Sequence, residues 1–92
     1  MAVIYPVGRN PWSIAVADVD GDGKPDLLVV NEGDNNISVL PGKGDGTFGD
    51  AVTYGVGSSP TAVIAGDFNG DGKIDLAVAN YGEGTVTLLS AK

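Results

Sequence analysis

Asp18-Val19-Asp20-Gly21-Asp22-Gly23-Lys24-Pro25-Asp26 and, 49 positions on, Asp67-Phe68-Asn69-Gly70-Asp71-Gly72-Lys73-Ile74-Asp75 are two copies of one acidic loop. Oxygen-bearing side chains at positions 1, 3, 5 and 9 with glycine at 6 are what a hard cation such as calcium requires. Glycine belongs there because the loop must turn sharply to aim successive oxygens at one point. Two unit charges 4 Å apart repel by about 4 kcal/mol at an effective dielectric near 20, and a divalent cation reverses that penalty. Seven of the twelve acidic residues lie in these two loops, so two cations would bring the net charge from −7 to −3.

The first loop is expected to bind through Asp18, Asp20, Asp22, Asp26 and the Lys24 carbonyl, and the second through Asp67, Asn69, Asp71, Asp75 and the Lys73 carbonyl. Two calcium ions per chain follow. A helix-flanked calcium loop wants a bidentate Glu at position 12, where this chain has Val29 and Val78. Valine-rich flanks point to strands instead. The competing reading is a solvated acidic turn without an ion; repetition of the spacing argues against it.

Residues 2–43 align with 51–92 without a gap, and 18 of the 42 pairs are identical. Ninety-two residues suit one small domain, with repeat 1 at about 2–49 and repeat 2 at about 50–92. Fifteen glycines, few aromatics and abundant valine favour strands and turns. Strands are expected at 12–17, 27–31, 37–40 and 52–56, and at 61–66, 76–80, 86–89 and 3–7. Ser13-Ile14-Ala15-Val16-Ala17 and Ala62-Val63-Ile64-Ala65-Gly66 are apolar throughout, which predicts burial on both faces. A four-stranded antiparallel unit of this kind, repeated, reads as a propeller blade.

Gly46-Thr47-Phe48-Gly49, Ser59-Pro60-Thr61-Ala62 and Gly66-Asp67-Phe68-Asn69-Gly70-Asp71-Gly72-Lys73 resemble the FG-GAP or VCBS repeat over essentially the whole chain. That resemblance implies the fold of the integrin α-subunit propeller and of secreted bacterial propellers, with calcium in the hairpin between the first two strands. It also implies a secreted or cell-surface parent. The N-terminus lacks the basic and apolar stretches of a signal peptide, so this chain by itself is expected to be cytoplasmic, as an excised or engineered piece of a larger propeller.

The expected fold is all-β: two four-stranded antiparallel propeller blades, completing a six- or eight-bladed propeller by homo-oligomerisation. A closed propeller needs about 4 to 8 blades, and residues 44–49 have no counterpart after Lys92. Strand 3–7 is therefore expected to complete a neighbouring subunit's blade. That head-to-tail contact closes only as a ring, a trimer or a tetramer.

Partners of other kinds are constrained by composition. A pI near 4.1 disfavours nucleic acid, and no apolar run reaches membrane-spanning length. Arg9 and Trp12, facing Glu32 or Tyr81 across a groove, could stack a glycan or a protein side chain. The preferred reading is plainer: Trp12 packs between blades and Arg9 is solvated. Asn36-Ile37-Ser38 fits the N-glycosylation pattern at the start of a strand.

No cysteine and no histidine are present, so disulfides, the commonest zinc ligand and the commonest general base are missing together. A hydrolase built on paired carboxylates is disfavoured, since nearly all clustered acids fit metal spacing. The expected function is a non-enzymatic calcium-binding structural module that self-assembles into a symmetric propeller. The alternative is a multivalent carbohydrate-binding or adhesion module.

Overall fold

Valine-, leucine- and alanine-rich runs separated by glycine-containing turns form seven strands in the computed structural model, which describes residues 2–90. They are β1 (Pro11–Ala17), β2 (Asp26–Asn31), β3 (Asn36–Leu40), β4 (Val52–Gly55), β5 (Pro60–Gly66), β6 (Asp75–Asn80) and β7 (Thr85–Leu89). Every ladder is antiparallel and joins strands adjacent in sequence. One sheet has the order β1-β2-β3-β4 and the other β5-β6-β7. Among the described residues the only helical element is a 3-10 turn at Glu32–Asp34.

The two sheets share one register. Ala15 opposes Leu28 and Leu28 opposes Val39 in the first, while Ile64 opposes Ala77 and Ala77 opposes Leu88 in the second. The sequence expectations for these seven strands hold to within a residue or so at each end. The turn after β2 closes with Asn35 in the left-handed region at φ 55°, which asparagine tolerates. Gly84 does the same after β6 at φ 69°.

Alternate residues of a strand point to opposite faces. Ala15, Ala17, Leu28, Val30, Ile37 and Val39 share one face of the first sheet and pack on Val63, Ala65, Leu76, Val78 and Leu89 of the second. Leu28, Val30, Ile37 and Val78 are fully buried there. The outer faces remain open: Trp12, Ile14 and Val16 on the first sheet and Ile64, Val86 and Leu88 on the second are each 60–65% exposed. The expected burial of both faces of β1 and β5 is therefore not found within one chain, because two sheets can cover only one face each.

Residues 3–7, expected as a strand, run without a strand partner among the described residues. Their position is nevertheless defined. The Gly8 N–H donates to Asn31 Oδ1 at 3.2 Å, as Gly57 does to Asn80 Oδ1 at 3.1 Å. Gly33 and Glu32 donate to the Arg9 and Asn10 carbonyls, as Gly82 and Tyr81 do to Ser58 and Ser59. Tyr5 and Val7 then lie beside Leu27, Val29 and Leu40 on the open face of the first sheet. The Tyr5 ring meets Phe48 edge-on at 5.7 Å, and its hydroxyl accepts from the Phe48 N–H at 3.1 Å.

Asn31 and Asn80 are buried amides inside apolar strands, where an unmet polar group would be costly. Asn31 Nδ2 donates to Asn36 Oδ1 and Ser38 Oγ, and Asn80 Nδ2 donates to Thr85 and Thr87 Oγ1. The side chain of Asn36, the acceptor position of the glycosylation pattern, is thus engaged within the fold.

Candidate metal centre

Both acidic loops leave the end of an edge strand, β1 or β5, and return as β2 or β6. Gly23 and Gly72, at the sixth loop position, both have φ of +83°, a region that side chains with a Cβ resist. This conformation folds each loop back on its first aspartate. Asp18 Oδ1 accepts from Gly21 at 3.0 Å and Oδ2 from Gly23 at 2.8 Å. Asp67 Oδ1 accepts from Gly70 at 2.8 Å and Oδ2 from Gly72 at 2.8 Å. Asp22 and Asp71 donate their N–H groups to Asp20 and Asn69, and Lys24 and Lys73 donate theirs to Asp22 and Asp71. Four of these bonds recur in both loops although Asn69 replaces an aspartate, and in the second loop the Asp71 N–H also donates to Asp67 Oδ1 at 3.1 Å.

Carboxylate oxygens of Asp18, Asp20 and Asp22 lie within 4.8 Å of one another, and so do those of Asp67, Asp71 and Asp75. The last aspartate belongs to this close cluster in the second loop and not in the first. Asp26 is buried and accepts from Val19 N at 3.0 Å and Gly42 N at 2.8 Å. It therefore fastens the loop to the end of β3, a role that sequence reading missed. A carboxylate has about four lone-pair positions, so these bonds leave Asp26 able to accept more.

The electrostatics follow from this crowding. The Asp22 N–H bonded to Asp20 draws its carboxyl down, but desolvation and the nearby Asp22, Asp26 and Asp18 carboxylates carry it above its ordinary value. Asp22 is lowered, first by the Lys24 N–H. Asp67 is lowered by the Gly72 N–H and then by those of Gly70 and Asp71. A depressed carboxylate stabilises the folded loop above its unfolded pKa, and that contribution is lost as pH falls through the folded value.

The donor set is oxygen only, converging and anionic, with glycine-permitted curvature. That chemistry fits calcium and does not fit a soft metal. An FG-GAP-like repeat model matches residues 2–29 and 18–78. The chain belongs to the FG-GAP-like repeat family. Its longer match runs from the first acidic loop to just beyond the second. Comparison of this FG-GAP-like chain with curated proteins and with solved structures gave no match. FG-GAP repeats are typically associated with calcium, and such families serve as structural and adhesion modules.

The other sequence-derived positions are distributed differently. Arg9 pairs with Asp34, Nε to Oδ1 at 2.9 Å, and its N–H also reaches Asp34 Oδ2. The guanidinium holds the Asp34 carboxyl below its usual range. Trp12 and Tyr81 are exposed, and Glu32 sits in the turn that bonds Asn10. Among the described residues no hydrogen bond, ion pair or ring contact joins Arg9 or Trp12 to Glu32 or Tyr81. No helix of the described residues is long and apolar enough to cross a membrane.

Proposed function

We propose that this chain is a calcium-binding structural module whose copies assemble, head to tail, into a closed β-propeller. The observation that carries the reading is the placement of residues 3–7. The contacts of residues 8–10 repeat those of 57–59. Tyr5 lies beside Leu27 and Leu40 as Tyr54 lies beside their counterparts, Leu76 and Leu89. This placement supports reading the segment as the outer strand of a blade that would precede the first sheet. The second sheet has three strands, and β7 has no neighbour on its outer side among the described residues.

Carrying the β3–β4 register over, Val3 of one copy would oppose Leu88 of the next and Tyr5 would oppose Val86, since Val52 opposes Val39 and Tyr54 opposes Ile37. Such a contact uses different surfaces on its two sides and ends only by closing. Three or four copies supply six or eight blades, inside the range of about 4 to 8 that propellers use.

Calcium would sit in each acidic loop on the named carboxylates, the Asn69 side chain and the Lys24 and Lys73 carbonyls. It supplies charge neutralisation and a fixed hairpin, not an activated water. At a concentration 100 times its dissociation constant a cation adds about 2.7 kcal/mol per site. Chelation is therefore expected to lower the melting temperature by ~10 °C or more. Calorimetry in calcium and in chelator checks this; superimposable melts would refute the metal role. Sedimentation equilibrium in calcium is expected to give three or four times the 9.2 kDa chain mass.

A further inference from the structure

We infer that the two open sheet faces are shaped for each other, with Trp12 of one copy seated over Ala62 and Ala79 of the next, and that this exchange of bulk directs the assembly. The inference rests on the self-assembly reading above and identifies its mating surfaces.

Within the chain, the β5 face packed on the first sheet carries Val63 and Ala65, at the repeat positions of Ile14 and Val16, and Thr61 stands at a register shift just before them, as Trp12 does in β1. It meets a face bearing Ser13, Leu28 and Val30, and the Ser13 hydroxyl donates to the Thr61 carbonyl at 3.0 Å. Ser13 and Val30 are directly opposed in their sheet. In this covered interface the large side chains come from β2 and the small ones from β5.

At the open faces the sizes are reversed. The first sheet now offers the bulk, Trp12, Ile14 and Val16. The second sheet offers Ala62, Ala77 and Ala79 where the covered interface has Ser13, Leu28 and Val30. Ala62 and Ala79 are directly opposed, as Ser13 and Val30 are. With Ile64 and Val86 they line an apolar concavity on the outer face of the second sheet. Placing a second copy by the chain's own sheet-to-sheet relation puts Trp12 beside Ala62, which opposes Ala79, as Thr61 lies beside Ser13, which opposes Val30. Bulk lost at Leu28→Ala77 and Val30→Ala79 is regained at Thr61→Trp12 and Ala65→Val16. Close packing makes such compensation consequential.

The same pattern opposes the wrong pairings. An isologous contact of the first sheet's open face would set Trp12, Ile14 and Val16 against their own copies, and one of the second sheet's face would leave its concavity unfilled. A second copy docked head to tail satisfies both faces at once.

The test uses the chain's single tryptophan in calcium buffer. In the assembled protein its emission is expected to be blue-shifted, moving to the red on dilution to monomer. Ala79→Val restores the side chain of the other repeat and fills the concavity. Ala79 is exposed in the single chain, so folding is unaffected, but assembly is expected to weaken by roughly tenfold or more. Trp12→Thr is expected to weaken it too, and the double variant to lose less than the two effects combined. Wild-type assembly by Ala79→Val, or a solvent-like Trp12 emission in the ring, would overturn the inference while leaving self-assembly standing. So would quenching or shifting of Trp12 only by an added oligosaccharide or another protein. A wild-type chain that stays monomeric at all concentrations overturns both.

Discussion

Deleting residues 1–7 is expected to leave a folded chain that no longer assembles. Gly8, which anchors to Asn31, is retained, as are all seven paired strands, so far-UV dichroism should keep its sheet signature. What is lost is the segment proposed to pair with β7 of the next copy and the Tyr5–Phe48 contact, worth about 0.5–1.5 kcal/mol. Four opposed residue pairs join β3 to β4 within the chain. Each interface of the ring would forfeit a ladder of that size, together with the apolar contacts of Val3 and Tyr5. Sedimentation should then report the single-chain mass at concentrations where the intact protein is a multiple of it. Retention of the multimer by the truncated chain would rule out strand exchange as the joining device.

Leu28→Ala is expected to cost about 2–5 kcal/mol and to lower the melting temperature by roughly 10 °C or more. Leu28 is fully buried at the centre of the covered interface, within reach of side chains from both sheets. Removing three side-chain carbons there loses transfer free energy and leaves a cavity that two short sheets cannot fully collapse. Domains of this size commonly hold about 5–15 kcal/mol in total, so the loss is a large fraction. Leu88→Ala supplies the contrast. Leu88 is 65% exposed in the single chain, and its replacement should leave the monomer within about 0.5 kcal/mol while weakening the assembled form. Chemical denaturation above and below the assembly concentration separates the two. Equal sensitivity of the monomer to both substitutions would contradict the division into covered and open faces.

The strands and the acidic loops were legible because the chain states each of them twice. Gly23 and Gly72 stand at one position of two aligned copies, and that recurrence alone signals the positive φ both adopt. The two sheets share one register because each hairpin loop has the same length in both copies. Pairings between distant residues were not legible. The Gly8–Asn31 bond spans 23 residues and Phe48–Tyr5 spans 43, and nothing local in Asn31 or Tyr5 identifies its partner. A signal existed: asparagine recurs at 31 and 80 within otherwise apolar strands, where a buried amide demands dedicated partners. Asp26 shows a different limit. Its place in the metal spacing was plain, whereas its bonds to Val19 and Gly42 depend on how the loops at that end of the sheet meet. Two expectations were not met within the chain: residues 3–7 have no strand partner among the described residues, and the outer faces of β1 and β5 are open, because two sheets cover only one face each.

Every ladder in the molecule connects strands consecutive in sequence, and that has a kinetic meaning. Nearest-neighbour hairpins close short loops, which keeps the entropic barrier to forming each sheet low. Sheet formation is then a unimolecular event whose rate ignores how many other chains are present. Dilution therefore leaves the folding rate of each sheet unchanged, and any association between chains would be the only concentration-dependent step.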